Sequence, residues 1–189
     1  AWVARELPSL LAGKLAGVPA SESAAIKEGV KMSFGACNAQ LLLLAEERGW
    51  TGGCTALGLL LDLHATPPRA YVASLGASQA HACVKEQGSS ATKAIGVSKN
   101  KPGRALGASS ELLPSSAAPS PLPDVTSFDV RPAQRFVLLG SAGMWRCLTG
   151  QRAVEMLATR LHMMDARRVE LEGMLGTPPL AVSECFSAP

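Results

Sequence analysis

The sequence has no apolar run approaching the ~18 residues of a membrane-spanning helix, which excludes an α-helical span. It is also short of charge: 17% of its 189 residues are Asp, Glu, Lys or Arg, against 47% hydrophobic. That balance suits a globular chain with a real core and a sparsely charged surface, the kind of surface often covered by something else. No C-x-x-C occurs among the five cysteines, Cys37, Cys54, Cys83, Cys147 and Cys185. Their odd number and wide spacing exclude a disulfide framework and suit small core residues in a reducing compartment. The opening Ala1-Trp2-Val3-Ala4-Arg5-Glu6 is neither a signal nor a transit peptide and lacks an initiator Met. The natural chain is therefore expected to begin earlier and to be intracellular, in the cytosol, the cytoskeleton or an organelle.

What charge there is sits unevenly. Between Lys85 and Arg104, five cations (Lys85, Lys93, Lys99, Lys101, Arg104) face Glu86 alone, a local +4 in a chain of net +3. The remainder is close to neutral, which excludes a dedicated nucleic-acid-binding domain. The basic loop reads either as a solvated segment or as a contact for an acidic protein or RNA, with Lys99 and Lys101 as candidate partner contacts.

Periodicity predicts two N-terminal helices. In Ala1–Gly17, Val3, Leu7, Leu10, Leu11 and Leu15 form one apolar stripe. In the second, Ser21 and Ser23 are candidate caps, with Ile26, Val30, Phe34, Cys37, Leu41 and Leu44 along one face. Strands are expected at Cys54–Leu63, Ala70–Leu75 and Gln79–Val84, the last two joined by a tight Gly76-Ala77-Ser78 turn in an antiparallel meander. Residues 86–122, rich in Ser, Ala, Gly and Pro, read as a long loop. Strands Val125–Val130 and Gln134–Gly140 follow, then a helix of about 13 residues capped by Thr149, with Val154, Leu157 and Leu161 on its inner face, and another helix over Asp165–Leu175. The result is an α+β chain with helices layered on antiparallel sheet.

One stretch carries more information than the rest. In Phe136–Trp145 a hydrophobic run ends in the small-residue turn Ser141-Ala142-Gly143. A turn at the end of a buried strand brings backbone to a pocket mouth, where an acid could hold a metal; Ala142 cannot.

Several segments, taken in order, resemble the metal-dependent protein phosphatases of the 2C type. Phe136–Trp145 is similar to that family's F-L-I-L-A-S-D-G-L-W, and Ala70–Ala80 to Y-V-A-N-V-G-D-S-R-A. Gly52–Ala56 is similar to G-S-T-A, Gly103–Ala108 to S-R-A-L-G-D, and Pro123-Asp124-Val125 to P-D-V. Ala1–Leu15 resembles the helix after the family's D-G-H-G-G signature. The resemblance implies a shortened β-sandwich of two antiparallel sheets flanked by helices, as a single domain over 1–189 with an atypical tail at 162–189. It also implies metals at one end of the sandwich. At the positions that would hold them the chain departs from the family: Ala142, Ala77 and Ala108 stand where the motifs have Asp, and Gln79 where they have Arg. The D-G-H-G-G segment, the upstream phosphate-binding Arg and the closing D-N motif have no match.

Mg²⁺ and Mn²⁺ need oxygen ligands, usually carboxylates, and a methyl group supplies none. Without them the ions that make a hydroxide nucleophile and neutralise phosphoryl oxygens have no seat. The expectation is a pseudophosphatase with no cofactor, no metal and no catalytic residue, serving as a structural or scaffolding subunit of a protein assembly. The alternatives are a regulatory pseudophosphatase that binds a kinase or phosphoprotein, and an active Mg/Mn-dependent Ser/Thr phosphatase fragment whose other motifs lie elsewhere.

Other constellations have plainer explanations. His81 and Cys83 share a strand face and could join Cys54 and His64 in a zinc site, or simply line a half-buried face. Ser78 and Ser141 lack a G-x-S-x-G elbow and suit tight turns. Gly96–Gly103 lacks the P-loop order, and His162 reads as a surface or helix-end residue. Of the three tryptophans, Trp145 reads as core and Trp50 as a candidate partner contact.

Overall fold

The computed structural model describes residues 2–19, 21–50, 52–85, 88, 91–101, 104–107 and 120–175. Its first two helices are α1 (Trp2–Leu15) and α2 (Ser23–Arg48). The predicted stripes meet: Val3, Leu7, Leu10, Leu11 and Leu15 of α1 pack against the core cluster that holds Val30, Phe34 and Cys37 of α2. Ser33 Oγ donates to its own helix at Gly29 O (2.8 Å) and lies 3.3 Å from Leu10 O on α1. Neither Ser21 nor Ser23 caps α2. Glu22 holds the cap position without a side-chain bond, and its N–H donates to Pro19 O in a turn that sets the entry instead. The other end closes as expected for glycine: Gly49 is left-handed and Trp50 N–H reaches Ala45 O at 2.8 Å.

Six strands form two three-stranded antiparallel sheets. Strands β1 (Ala56–Asp62), β2 (Arg69–Leu75) and β5 (Asp124–Asp129) pair in the order β1-β2-β5. Strands β3 (Gln79–Lys85), β4 (Thr92–Gly96) and β6 (Gln134–Gly140) pair in the order β4-β3-β6. The expected three-strand meander is thus broken after β2. Gly76, at φ 93°, turns the chain into the second sheet, and a Cβ there would meet Thr55 Cγ2 at 2.4 Å.

The expected loop over 86–122 also contains β4. Thr92-Lys93-Ala94-Ile95-Gly96 has little strand character of its own and takes its form from pairing with β3. After it the chain crosses to the other sheet, where Ser74 Oγ donates to Lys99 O at 2.9 Å and Thr126 Oγ1 to Val97 O. On β2, Ala73 and Leu75 face the helices with Phe34 and Leu106, while the alternate residues Ala70 and Val72 are fully buried on the opposite face.

A short helix, α3 (Ala142–Cys147), follows β6, and α4 runs unbroken from Gly150 to Leu175. Thr149 Oγ1 accepts the Arg152 N–H at 3.2 Å, the predicted cap. The two expected C-terminal helices are one, because Leu161–Ala166 holds no glycine or proline to end the first. Of the predicted inner face, Val154 is buried but Leu161 is 39% exposed, since the helix outruns the sheet. Near its start Gln151 completes the edge of β4: its Oε1 accepts the Ala94 N–H and its Nε2 donates to Thr92 O, both at 2.9 Å. Helices α1 and α2 therefore flank the β1-β2-β5 sheet and α4 the other, as the resemblance implied.

Candidate functional site

Strand register brings the predicted turns to one end of the sandwich. Gln79 pairs with Gly140, so Gly76-Ala77-Ser78 and Ser141-Ala142-Gly143 lie beside each other where β3 begins and β6 ends. The start of β1 is tied to the same place by Thr55 Oγ1 and Ser78 Oγ, 3.3 Å apart. Trp145 closes it from α3, its indole N–H shared between Gly140 O (2.8 Å) and Gln79 O (3.1 Å). The Gln79 carbonyl is thus a structural acceptor, and Trp145, half-buried rather than in the core, has a packing role.

The acid present here is Asp124, opposite Ser74 at the adjoining end of β2. Its side chain is 16% exposed and doubly paired: Oδ1 with Lys101 Nζ at 2.9 Å and Oδ2 with Arg104 Nη1 at 3.2 Å. Lys101 N–H also donates to Gly76 O at 3.3 Å, pinning the cationic segment against the turn. Two cations that looked like free loop charge in the sequence are therefore committed to one carboxylate. Lys99 is exposed. Ala108 lies outside the described residues.

This donor set does not fit a divalent pair. Ala77 and Ala142 offer methyl groups, Asp124 is already neutralised, and among the described residues no group of three or more His, Cys, Asp or Glu is placed to hold a metal ion. The four candidate zinc residues are not brought together. His81 packs on Trp145 with ring centroids 4.7 Å apart, burial holding its pKa below the usual value. Cys54 pairs instead with Leu106 beside the helices, and His64 is exposed. Burial raises the thiol pKa of Cys37, Cys54 and Cys83, as suits unreactive core thiols. Cys147, expected in the core, is exposed on α3. Trp50 is 47% exposed, with the Arg48 guanidinium 5.2 Å above its ring.

The model of the family described as protein phosphatase 2C matches residues 87–172. A serine-threonine phosphatase 2C from Toxoplasma gondii superposes with a TM-score of 0.60 at 13% identity, over 93% of this chain and 77% of that one. Over residues 87–172 the chain is similar to the protein phosphatase 2C family, and it shares the fold of that solved phosphatase. A C. elegans sex determining protein superposes with a TM-score of 0.61 at 15% identity, over 82% of this chain and 42% of that one. At such identities the two structures speak to fold alone. No curated protein matches the chain significantly. Among the described residues no helix is long and apolar enough to cross a membrane.

The sequence did not single out the Asp124–Lys101–Arg104 cluster or the bond between Thr55 and Ser78. The signal for the first was present in two pieces, an acid in Pro123-Asp124-Val125 and two cations in the basic loop, but only strand pairing joins them.

Proposed function

We propose that this phosphatase 2C-like domain is catalytically inactive and serves as an intracellular structural or scaffolding subunit of a larger protein assembly. The observation that carries this reading is the end of the sandwich where the turns of Ala77 and Ala142 lie side by side. Hydroxyl contacts, an indole clamp and a cation-paired Asp124 hold that end together, and among the described residues no group of carboxylates is placed there to bind an ion. A two-metal phosphatase needs anionic oxygen at that place both to seat the ions and to balance their charge. The sparse surface charge, the exposed Trp50 and the exposed Lys99 favour protein partners over a small substrate.

The purified protein loaded with Mg²⁺ or Mn²⁺ is expected to show no metal-dependent hydrolysis of a phosphopeptide. Turnover that a chelator abolishes would overturn the proposal. The paired changes Ala77→Asp and Ala142→Asp are expected not to restore activity, because two carboxylates alone do not complete the ligand set. Recovery from cells at native salt is expected to give a stoichiometric, salt-stable complex. A weak, salt-labile association with a kinase would favour the regulatory alternative instead.

A further inference from the structure

The outer face of α2, turned away from the sheet, carries apolar residues that nothing among the described residues covers. Met32 is 52% and Leu43 68% exposed; between them Ala39 is exposed and Ala36 half-buried. The four are spaced by four, three and four residues, so at 3.6 residues per turn they lie within about 60° of arc. One exposed leucine needs no explanation, but this spacing is that of a seam along which a helix packs on another helix. Helix α1 does not fill it. It lies on the adjoining face of α2, where Leu10 O is 3.3 Å from Ser33 Oγ and Leu15 Cδ2 is 2.8 Å from the Cβ position of Gly29. The other flank is apolar as well: Leu42 is exposed, and the exposed Leu122 lies 3.8 Å from the Cβ position of Gly35.

The order of residues in the seam indicates its occupant. Met32 and Leu43, and Ala36 and Ala39, are each centred on the point between Cys37 and Asn38. A second α2 turned end for end therefore sets Leu43 over Met32 and Ala39 over Ala36, every contact made twice about a two-fold axis. Alanines at the centre let the two backbones approach closely, and the long side chains fill the gap that widens towards each end. On the flank, Leu42 of one copy comes over Gly35 of the other, where there is no side chain to obstruct it. The same register sets Glu46 opposite Gly29 of the other copy, beside Lys14, whose carbonyl oxygen is 3.6 Å from the Gly29 Cβ position. Lys14 and Glu46 are both exposed, and among the described residues neither forms an ion pair. Antiparallel helices also set opposite macrodipole ends beside each other. We infer that the chain forms a two-fold dimer through antiparallel packing of its α2 helices, with Lys14 of each copy paired to Glu46 of the other. This association is independent of whether the strand-end site is catalytic. The seam is roughly 17 Å long at ~1.5 Å per residue, which places the interface below about 1,200 Å² and makes the dimer weak and reversible.

Sedimentation equilibrium of the full chain is expected to show monomer and dimer exchanging with a Kd of roughly 10–100 µM. Ala39→Glu sets a carboxylate at the centre of the seam and is expected to weaken the dimer at least about tenfold, with the thermal midpoint within a few degrees of the parent because the position is exposed. Lys14→Glu and Glu46→Lys are each expected to weaken it about 2–5-fold at low salt, and the double variant to recover the parent's affinity. Recovery reads out the antiparallel register, since parallel helices would set Glu46 beside Glu46. A monomer at all concentrations up to about 500 µM, an undiminished dimer in folded Ala39→Glu, or no recovery in the double variant each overturns the inference. So does a dimer that survives the α2 changes and is lost with Leu61→Asp, which would move the contact to the β1 edge.

Discussion

Strands β1 and β2 are hydrogen-bonded neighbours of equal length, yet they occupy opposite situations. Strand β1 reads Ala-Leu-Gly-Leu-Leu-Leu-Asp and is the more apolar, but none of its residues is buried and Leu61 is 52% exposed. Strand β2 reads Arg-Ala-Tyr-Val-Ala-Ser-Leu, carries an arginine and a serine, and is buried from Ala70 to Leu75. The difference comes from order in the sheet. Strand β2 is paired on both edges and covered on both faces; β1 is paired on one edge, with a cleft over one of its faces. Hydrophobic content marks a segment as a strand, and topology decides how much of it leaves water.

Substitutions along the two strands test that contrast. Leu75→Ala on β2 is expected to have the largest effect, about 2–5 kcal/mol of lost stability in urea unfolding, because the side chain is fully enclosed by Phe34 and Leu106. Gly76→Ala, at the exit from β2, follows at about 1–3 kcal/mol from its positive φ alone, and more if Thr55 cannot move. The β3 face supplies a smaller, pH-dependent term. Burial lowers the His81 pKa, so the unfolded chain takes up a proton more readily than the folded one. That contribution is present above the unfolded histidine value of about 6.5 and is lost as pH falls through the lowered folded value. Thermal midpoints are expected to drop on acidification through that window, and His81→Phe to flatten that part of the profile. Leu61→Ser on β1 comes last, within about 0.5 kcal/mol, as for an exposed position. A loss there equal to that of Leu75→Ala would mean that the β1 face is covered in solution and would erase the contrast.

The elements most legible in the sequence were those whose local pattern and environment agree. Strand β6 matches its expected bounds end to end, and the α1 and α2 stripes lie where their periodicity placed them. Strand β4 was hidden because its five residues are strand only by virtue of β3 and the Gln151 side chain. The β2–β3 connection looked like a hairpin turn, since Gly-Ala-Ser suits either a hairpin or a corner between sheets, and only long-range pairing distinguishes them. At the candidate site, Ala77, Gln79 and Ala142 could be marked from their turns. The pairing of Lys101 and Arg104 with Asp124 could not, because twenty or more residues of sequence separate the partners.

Helix α4 has a mechanical consequence. At 26 residues it is roughly 39 Å long at ~1.5 Å per residue; it packs mainly on β4 and β3, and residues 161–167 are exposed. It is a bar clamped at one end. The clamp is tight: Gln151 is bonded to β4, and at Gly150 any side chain would collide with His81, whose ring lies 2.4 Å from the Cβ position. Force applied to the helix is therefore delivered, through its first turn, to the His81–Trp145 contact and to the strand ends that Trp145 holds.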